Sequence, residues 1–181
     1  MSQNERTEGR KYIYPFLLTA VIIILDQVSK ALIIRYVELY PSFSGYQVIG
    51  NFFRIIHTRN LGIAFSLGRS LPGTVRYAFF TFLPLIVMVI VLIYYFRADD
   101  ITPVQRWALA GILGGGFGNI IDRFFRPEGV VDFLDFKFYG IFGLNRWPTF
   151  NIADSSVVLC GILLIISIII TEGKRNNEQK N

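Results

Sequence analysis

Apolar residues fill four long stretches of this chain, at about 12–36, 75–96, 104–124 and 152–172. Each is long enough to cross a hydrocarbon core, which takes roughly 20 residues of helix at about 1.5 Å each. The second is the cleanest, because residues 77–96 form a run of 20 without a charge. Pro84 lies inside it, where a packed membrane helix tolerates a kink. The third opens on Thr102-Pro103, proline being favoured in a first turn. It carries glycines at 111, 114, 115, 116 and 118. Small residues let helix backbones approach closely, so packing explains that run by itself.

Polar residues interrupt this pattern at a few places. Asp26-Gln27-Val28-Ser29-Lys30 breaks the first run, with Asp26 and Lys30 four apart on one helix face. Two readings are open. The pair marks the interfacial end of the helix with Lys30 snorkelling, or it supports a polar site at that membrane surface. Asn119, Asp122 and Arg123 end the third run at spacings that put them on one side. They fit either a scaffold or a chemical site. Asn151 and Asp154 open the fourth run as an N-cap and a third-position carboxylate, and capping alone could account for both.

Between the runs lie two longer segments. Residues 37–74 hold Pro41, Gly45, Gly50, Gly62, Gly68, Pro72 and Gly73, too many breakers for a span. Strand character appears at 46–49 and 52–56, rich in β-branched and aromatic residues. Asn60 and Gly62 then act as turn formers. A small β-cradle at about 45–68, lying on the bilayer, is expected; a plain surface hairpin fits equally. Residues 125–150 form the second loop, with Asp132 and Asp135 among large apolar neighbours. Taken locally, Asp132 reads as an edge-strand carboxylate exposed to water.

The expected fold is all-α: four transmembrane helices forming one membrane domain over 1–181, with the small cradle outside the bilayer. Both termini fall on one side and both longer loops on the other. Asp26, Lys30, Asn60, Asn119, Asp122, Arg123, Asp132, Asn151 and Asp154 then all gather at the loop side. Ionisable groups in or beside lipid cost about 2.5–3.5 kcal/mol each at a helix centre, which makes function the default reading for them. Basic residues occur on both sides, so the positive-inside rule decides orientation only weakly; termini in the cytoplasm are expected.

Composition agrees. Of 181 residues, 52% are hydrophobic and 17% charged, below the roughly 25% of a soluble domain. The net charge of +5 is scattered, which argues for anionic lipid and against nucleic acid as partner. A single cysteine, Cys160, rules out an intrachain disulfide, and a single histidine, His57, makes zinc improbable. Residues 1–11 are a polar tail, and the long run after them reads as an uncleaved helix rather than a leader.

The chemistry left to such a chain is that of carboxylates. Gly114 to Gly118 lacks the lysine and strand context of a phosphate loop. Two aspartates sharing a site cannot both ionise readily, so one keeps a proton. The ionised one can activate water while the protonated one polarises a carbonyl. That is aspartic peptidase logic, and it requires neither metal nor cofactor.

Five blocks, in order, carry a resemblance: Asp26-Gln-Val-Ser-Lys30, Asn60-Leu-Gly-Ile-Ala-Phe-Ser66, Gly115-Gly-Phe-Gly-Asn119-Ile-Ile-Asp122-Arg123, Val130-Val-Asp132-Phe133 and Phe150-Asn-Ile-Ala-Asp154-Ser155. Each alone is weak, but together they run from first to last helix and are highly specific. The chain resembles the bacterial lipoprotein signal peptidases, or signal peptidase II. The resemblance implies a monomeric four-helix protease of the inner membrane, with its cradle and active site on the periplasmic side. It implies a lipid-modified prolipoprotein as substrate, cut just before a diacylglyceryl-modified cysteine, with no cofactor. It places the catalytic dyad at Asp132 and Asp154, displacing the capping reading of Asp154. Asp26, Lys30, Asn60, Asn119, Asp122, Arg123 and Asn151 take supporting or substrate-orienting roles. Asp122 is the rival dyad member, ranked second because Arg123 should hold it ionised. One departure is the segment from Phe138 to Trp147, longer than the family's usual link between the last two blocks.

A different class of reading is a small transporter or proton relay, since intramembrane aspartates and an Asp–Lys pair also mark ion paths. The charge-free middles of the second and fourth runs argue against it. A third is a structural subunit whose polar layer binds a partner.

Overall fold

The computed structural model describes residues 12–61 and 72–178, Arg76 by its backbone only. The polar tail at 1–11 and the second half of the 60–66 block lie outside the described residues, as does the end of the cradle expected at 45–68. The elements are α1 (Pro15–Tyr36), β1 (Tyr46–Ile49), β2 (Phe53–Asn60), α2 (Gly73–Arg97), α3 (Pro103–Phe125), β3 (Val130–Phe136) and α4 (Ile152–Glu178).

Helix α3 is the centre, with α1, α2 and α4 packed around it. Thr102 starts it with a capping box: its hydroxyl accepts from Gln105 N, and the Gln105 side chain accepts from Thr102 N. The glycine run is what lets three neighbours close in. A Cβ on Gly115 would strike the Ala153 carbonyl of α4, and one on Gly118 would sit 2.8 Å from the Asp26 carboxylate of α1. With backbones this near, helix-to-helix hydrogen bonds form: Thr19 Oγ1 donates to Ala110 O at 2.7 Å, and Ser156 Oγ to Gly111 O at 3.0 Å. Lipid offers such groups no alternative partner.

Outside this centre the helices are apolar and uncovered. Ile24 on α1, Ile90 on α2 and Ile165 on α4 are each 60% exposed. Helices α1, α2 and α4 are long and apolar enough to cross a membrane, with mean hydropathies of 2.1, 2.5 and 2.5 over their best windows. Helix α3 is not among these, because it carries Arg106, Asp122, Arg123 and the polar-neutral glycines in their midst.

The sheet is three-stranded and antiparallel, in the order β1-β2-β3. The third strand, β3, comes from the second loop and joins the cradle's two strands in one sheet. β2 also runs past the expected end at 56, through His57 to Asn60. The cause is tertiary: Thr58, Arg59 and Asn60 pair with Asp132, Val131 and Val130, so β3 holds residues that otherwise favour a turn. Gly129 makes the approach possible with φ of +109°, since a Cβ there would lie 2.9 Å from Asn60 O. Ile33 and Val37 at the end of α1 pack on Val131 and Phe133, seating the sheet on the helices.

Candidate active site

Where β3 meets the ends of α1, α3 and α4, eight of the nine residues singled out above join one hydrogen-bonded network. Asp26, Lys30, Asp122 and Asn151 are wholly buried, and Asp132 is 2% exposed. The water-exposed edge carboxylate expected at Asp132 is therefore corrected. β3 packs its inner side onto α1 and α3, which takes that residue out of solvent.

Lys30 is the hub. Its Nζ lies 2.8 Å from Asp26 Oδ2 and 3.0 Å from Asp122 Oδ2, and donates to Asn119 Oδ1 at 2.9 Å. The snorkelling reading is thus also corrected: the ammonium turns inward because two carboxylates offer better solvation than the interface. Asp26 Oδ1 accepts from Ala153 N at 3.0 Å, tying α1 to the start of α4.

Asp122 is saturated. Oδ2 accepts from Val131 N at 3.0 Å besides pairing with Lys30, while Oδ1 accepts from Gln27 Nε2 at 3.0 Å and pairs with Arg126. Arg126 also reaches Gln27 Oε1 at 2.9 Å. The expected pairing of Arg123 with Asp122 is replaced: Lys30 and Arg126 are its ion-pair partners. Arg123 instead donates from Nη1 to Phe80 O of α2, and its Nε has no hydrogen-bond partner among the described residues. Arg123 is the one predicted site residue outside the network, although its charge is felt by Asp154 and Asp132.

Asp132 and Asp154 stand apart from these ion pairs. Asp132 accepts from Asn151 Nδ2 at 2.8 Å and from Asn60 Nδ2 at 3.0 Å. Asp154 accepts from Asn119 Nδ2 at 2.7 Å and from Asn151 N at 3.2 Å. All these donors are neutral amides. Asn151 joins the two carboxylates: its side chain serves Asp132, its backbone N–H serves Asp154, and its Oδ1 accepts from Asp154 N at 2.9 Å. That last pair of bonds is the N-terminal cap of α4, so Asp154 caps its helix with one oxygen and faces Asn119 with the other.

Charge bookkeeping then separates two classes of aspartate. Lys30 and Arg126 balance Asp26 and Asp122. Burial, followed by repulsion from Asp154, pushes the Asp132 carboxyl up from 3.8 to about 7. Two buried carboxylates bridged, among the described residues, by neutral amides favour a shared proton.

Paired carboxylates held by amides have the chemistry an aspartic peptidase needs, and comparison with known proteins gives the family. The profile described as Signal peptidase (SPase) II matches residues 18–170. The chain belongs to the signal peptidase II family. It is 49% identical to the lipoprotein signal peptidase of Treponema pallidum (strain Nichols) over 164 residues, covering 91% of this chain and 87% of the relative. It is 47% identical to that of Treponema denticola over 161 residues, covering 89% and 91%. A bacterial membrane enzyme solved by the in meso method at 2.3 Å resolution superposes with a TM-score of 0.73 at 29% identity, over 89% of this chain and 90% of that one. As a member of this family the protein is a membrane-embedded aspartic peptidase of the signal peptidase II type, removing signal peptides from prolipoproteins. The transporter reading is not favoured.

Some participants in the network escape a reading of motifs. Gln27 and Arg126 complete the shell of Asp122, and Thr58 donates to Asp132 O at 3.2 Å. Arg126 was detectable as the i+4 partner of Asp122. Gln27 lies in the first motif block but its bond to Asp122 spans 95 residues, and Thr58 carries no signal, its partner being 74 residues away. The lone His57 is buried beneath the sheet, its Nδ1 3.0 Å from Val37 O, and takes no part.

Proposed function

We propose that Asp132 and Asp154 are the catalytic dyad of this signal peptidase II family member. The observation that carries the assignment is the contrast with Asp122. Two cations and two further donors occupy the Asp122 carboxylate, leaving neither oxygen free to face a water or a substrate. Among the described residues Asp132 and Asp154 receive only amide hydrogen bonds, and burial favours one proton between them.

In this mechanism a water sits between the two carboxyl groups. The ionised aspartate removes its proton as the oxygen attacks the scissile carbonyl carbon, and the protonated one donates to the developing oxyanion. The carbon–nitrogen bond then breaks, and the leaving amine of the modified cysteine takes up a proton from the dyad. The products are a signal peptide with a free carboxylate and a lipoprotein beginning at that cysteine. Lys30, Asp26, Asp122, Asn119 and Asn151 position the dyad. Asn60 and Arg123 orient substrate carbonyls, a role supported by the Arg123 Nε, which has no partner among the described residues. No step uses a metal or cofactor.

The substrate is a prolipoprotein cut before a diacylglyceryl-modified cysteine. It enters sideways from the bilayer, and each buried methylene of its lipid adds about 0.8 kcal/mol of affinity that unmodified peptide lacks. Helix α3 is the fourth span, its polar residues shielded by the other three. The whole chain acts as one domain and as a monomer in the bacterial inner membrane. The termini are cytoplasmic, and the sheet and dyad lie at the periplasmic surface. The test is cleavage of lipidated and unlipidated prolipoprotein by the purified enzyme and its Asp132→Asn and Asp154→Asn variants. The wild type cuts only the lipidated form and neither variant cuts it; normal cleavage by both variants defeats the assignment.

A further inference from the structure

A groove of about 530 Å³ opens at Asp154, which forms part of its wall. Its lining is Phe136, Phe138, Trp147 and Phe150 on one wall, and Ser155, Val158 and Leu159 of α4 on the other. Phe138 and Trp147 of the aromatic wall belong to the segment between the last two motif blocks, while Phe136 ends β3. That segment is a built hairpin. Phe138 N donates to Asn145 O at 2.9 Å and Trp147 N to Phe136 O at 2.9 Å. Arg146 Nε clamps its base to the buried Asp135 at 2.6 Å. The Phe138 and Trp147 rings pack at 5.0 Å, and Phe136 stacks on Phe150 at 5.8 Å. The opposite wall is open to the surroundings of α4, because Val158 and Leu159 are 59% and 67% exposed. Around a membrane-crossing helix those surroundings are hydrocarbon.

We infer that this groove receives an acyl chain of the substrate's diacylglyceryl group and so sets the enzyme's preference for acyl length. The inference rests on the dyad and substrate proposed above. The lipid is attached to the residue following the scissile bond, so it begins within a few bonds of the attacked carbonyl. A channel that starts at Asp154 and leads along α4 into the bilayer is where such a chain can go. Its volume lies within the roughly 300–1,000 Å³ range of ligand sites. The signal peptide fits the groove poorly. Its backbone N–H and C=O groups would meet almost only aromatic and aliphatic side chains, and each unpartnered group costs several kcal/mol in apolar surroundings. An acyl chain has no such groups to satisfy.

Two measurements test this. The first is steady-state cleavage by Leu159→Trp and Val158→Trp of substrates that share a peptide but carry hexanoyl or palmitoyl chains. Filling the groove raises KM for the palmitoyl substrate at least tenfold, with kcat within about twofold and the hexanoyl substrate little changed. Tenfold is about 1.4 kcal/mol, two methylenes' worth of burial. Equal effects on both substrates, or none, overturn the inference. If wild-type enzyme fails to cut the palmitoyl substrate at all, the functional reading falls instead. The second measurement needs neither cleavage nor variants. Mature lipoprotein with a diazirine near its acyl terminus is photolysed with the wild-type enzyme, and labelled peptides are mapped. Labelling concentrated in 136–159, and absent when the same diazirine chain is on bulk phospholipid, supports the groove. Labelling elsewhere, or equal labelling by bulk lipid, overturns it.

Discussion

Replacing Asp132 by Asn should remove activity while leaving stability nearly intact, and Asp122→Asn should do the reverse. At Asp132 the substitution keeps volume and shape. It sets one amide NH₂ against a donor, either Asn151 Nδ2 at 2.8 Å or Asn60 Nδ2 at 3.0 Å. One opposed hydrogen bond costs about 1–3 kcal/mol. Against this, the variant no longer has a buried carboxyl to ionise. With its titration raised from 3.8 to about 7, that relief is on the order of 4 kcal/mol above neutral pH. The two effects nearly cancel or favour the variant. Activity has no such compensation, because proton transfer by one positioned group is worth about 10²–10⁴ and both halves of the proposed mechanism pass through the pair. A loss of at least about 10³ follows. At Asp122 the cost is structural. Lys30 and Arg126 each lose a carboxylate partner, and breaking a buried pair costs about 3–5 kcal/mol. The assay is cleavage of a fluorescent diacylglyceryl substrate in bicelles, with thermal unfolding of the same preparations. The reasoning fails if Asp132→Asn keeps more than a tenth of wild-type activity. It fails equally if Asp122→Asn abolishes cleavage without lowering the unfolding temperature.

Further outcomes follow from the same geometry. Since Asp132 holds its proton until about pH 7, kcat/KM should decline as pH rises through 7 toward 9; a flat profile there contradicts a shared proton. Stability moves the same way: a carboxyl raised in the folded state is protonated there but ionised in the unfolded chain between pH 3.8 and 7, so Asp132 costs stability across that window as pH rises, and Asp132→Asn should remove that share of the slope in pH-dependent unfolding. Gly118→Ala places a Cβ 2.8 Å from Asp26 and 3.2 Å from Ala153 Cβ, and should destabilise by about 1–3 kcal/mol in micelles, whereas Gly161→Ala, with nothing within 4 Å, should not. A chelator should leave cleavage unchanged, as no group of three or more His, Cys, Asp or Glu among the described residues is arranged to hold a metal; inhibition reversed by added metal would count against a dyad acting alone.

How far the sequence reaches depends on the range of the interactions involved. Whether a segment prefers lipid is a sum over its own residues, so the apolar runs were legible one by one, and so was the cap formed by Asn151 and Asp154. The blocks around Asp26, Asn119, Asp132 and Asp154 marked which residues matter, through family likeness. What only the folded chain decided is how these residues divide their labour. Arg123 is adjacent to Asp122 in sequence yet turns to α2, while Lys30, 92 positions away, takes its place. Asp132 reads locally as an exposed strand residue, and it is buried because β3 pairs with β2 and rests on α1. Each aspartate carries the same charge in the sequence. Which of them meets a cation and which, among the described residues, meets only amides is set by neighbours brought together from distant segments, and the proposed division between scaffold and dyad rests on that difference.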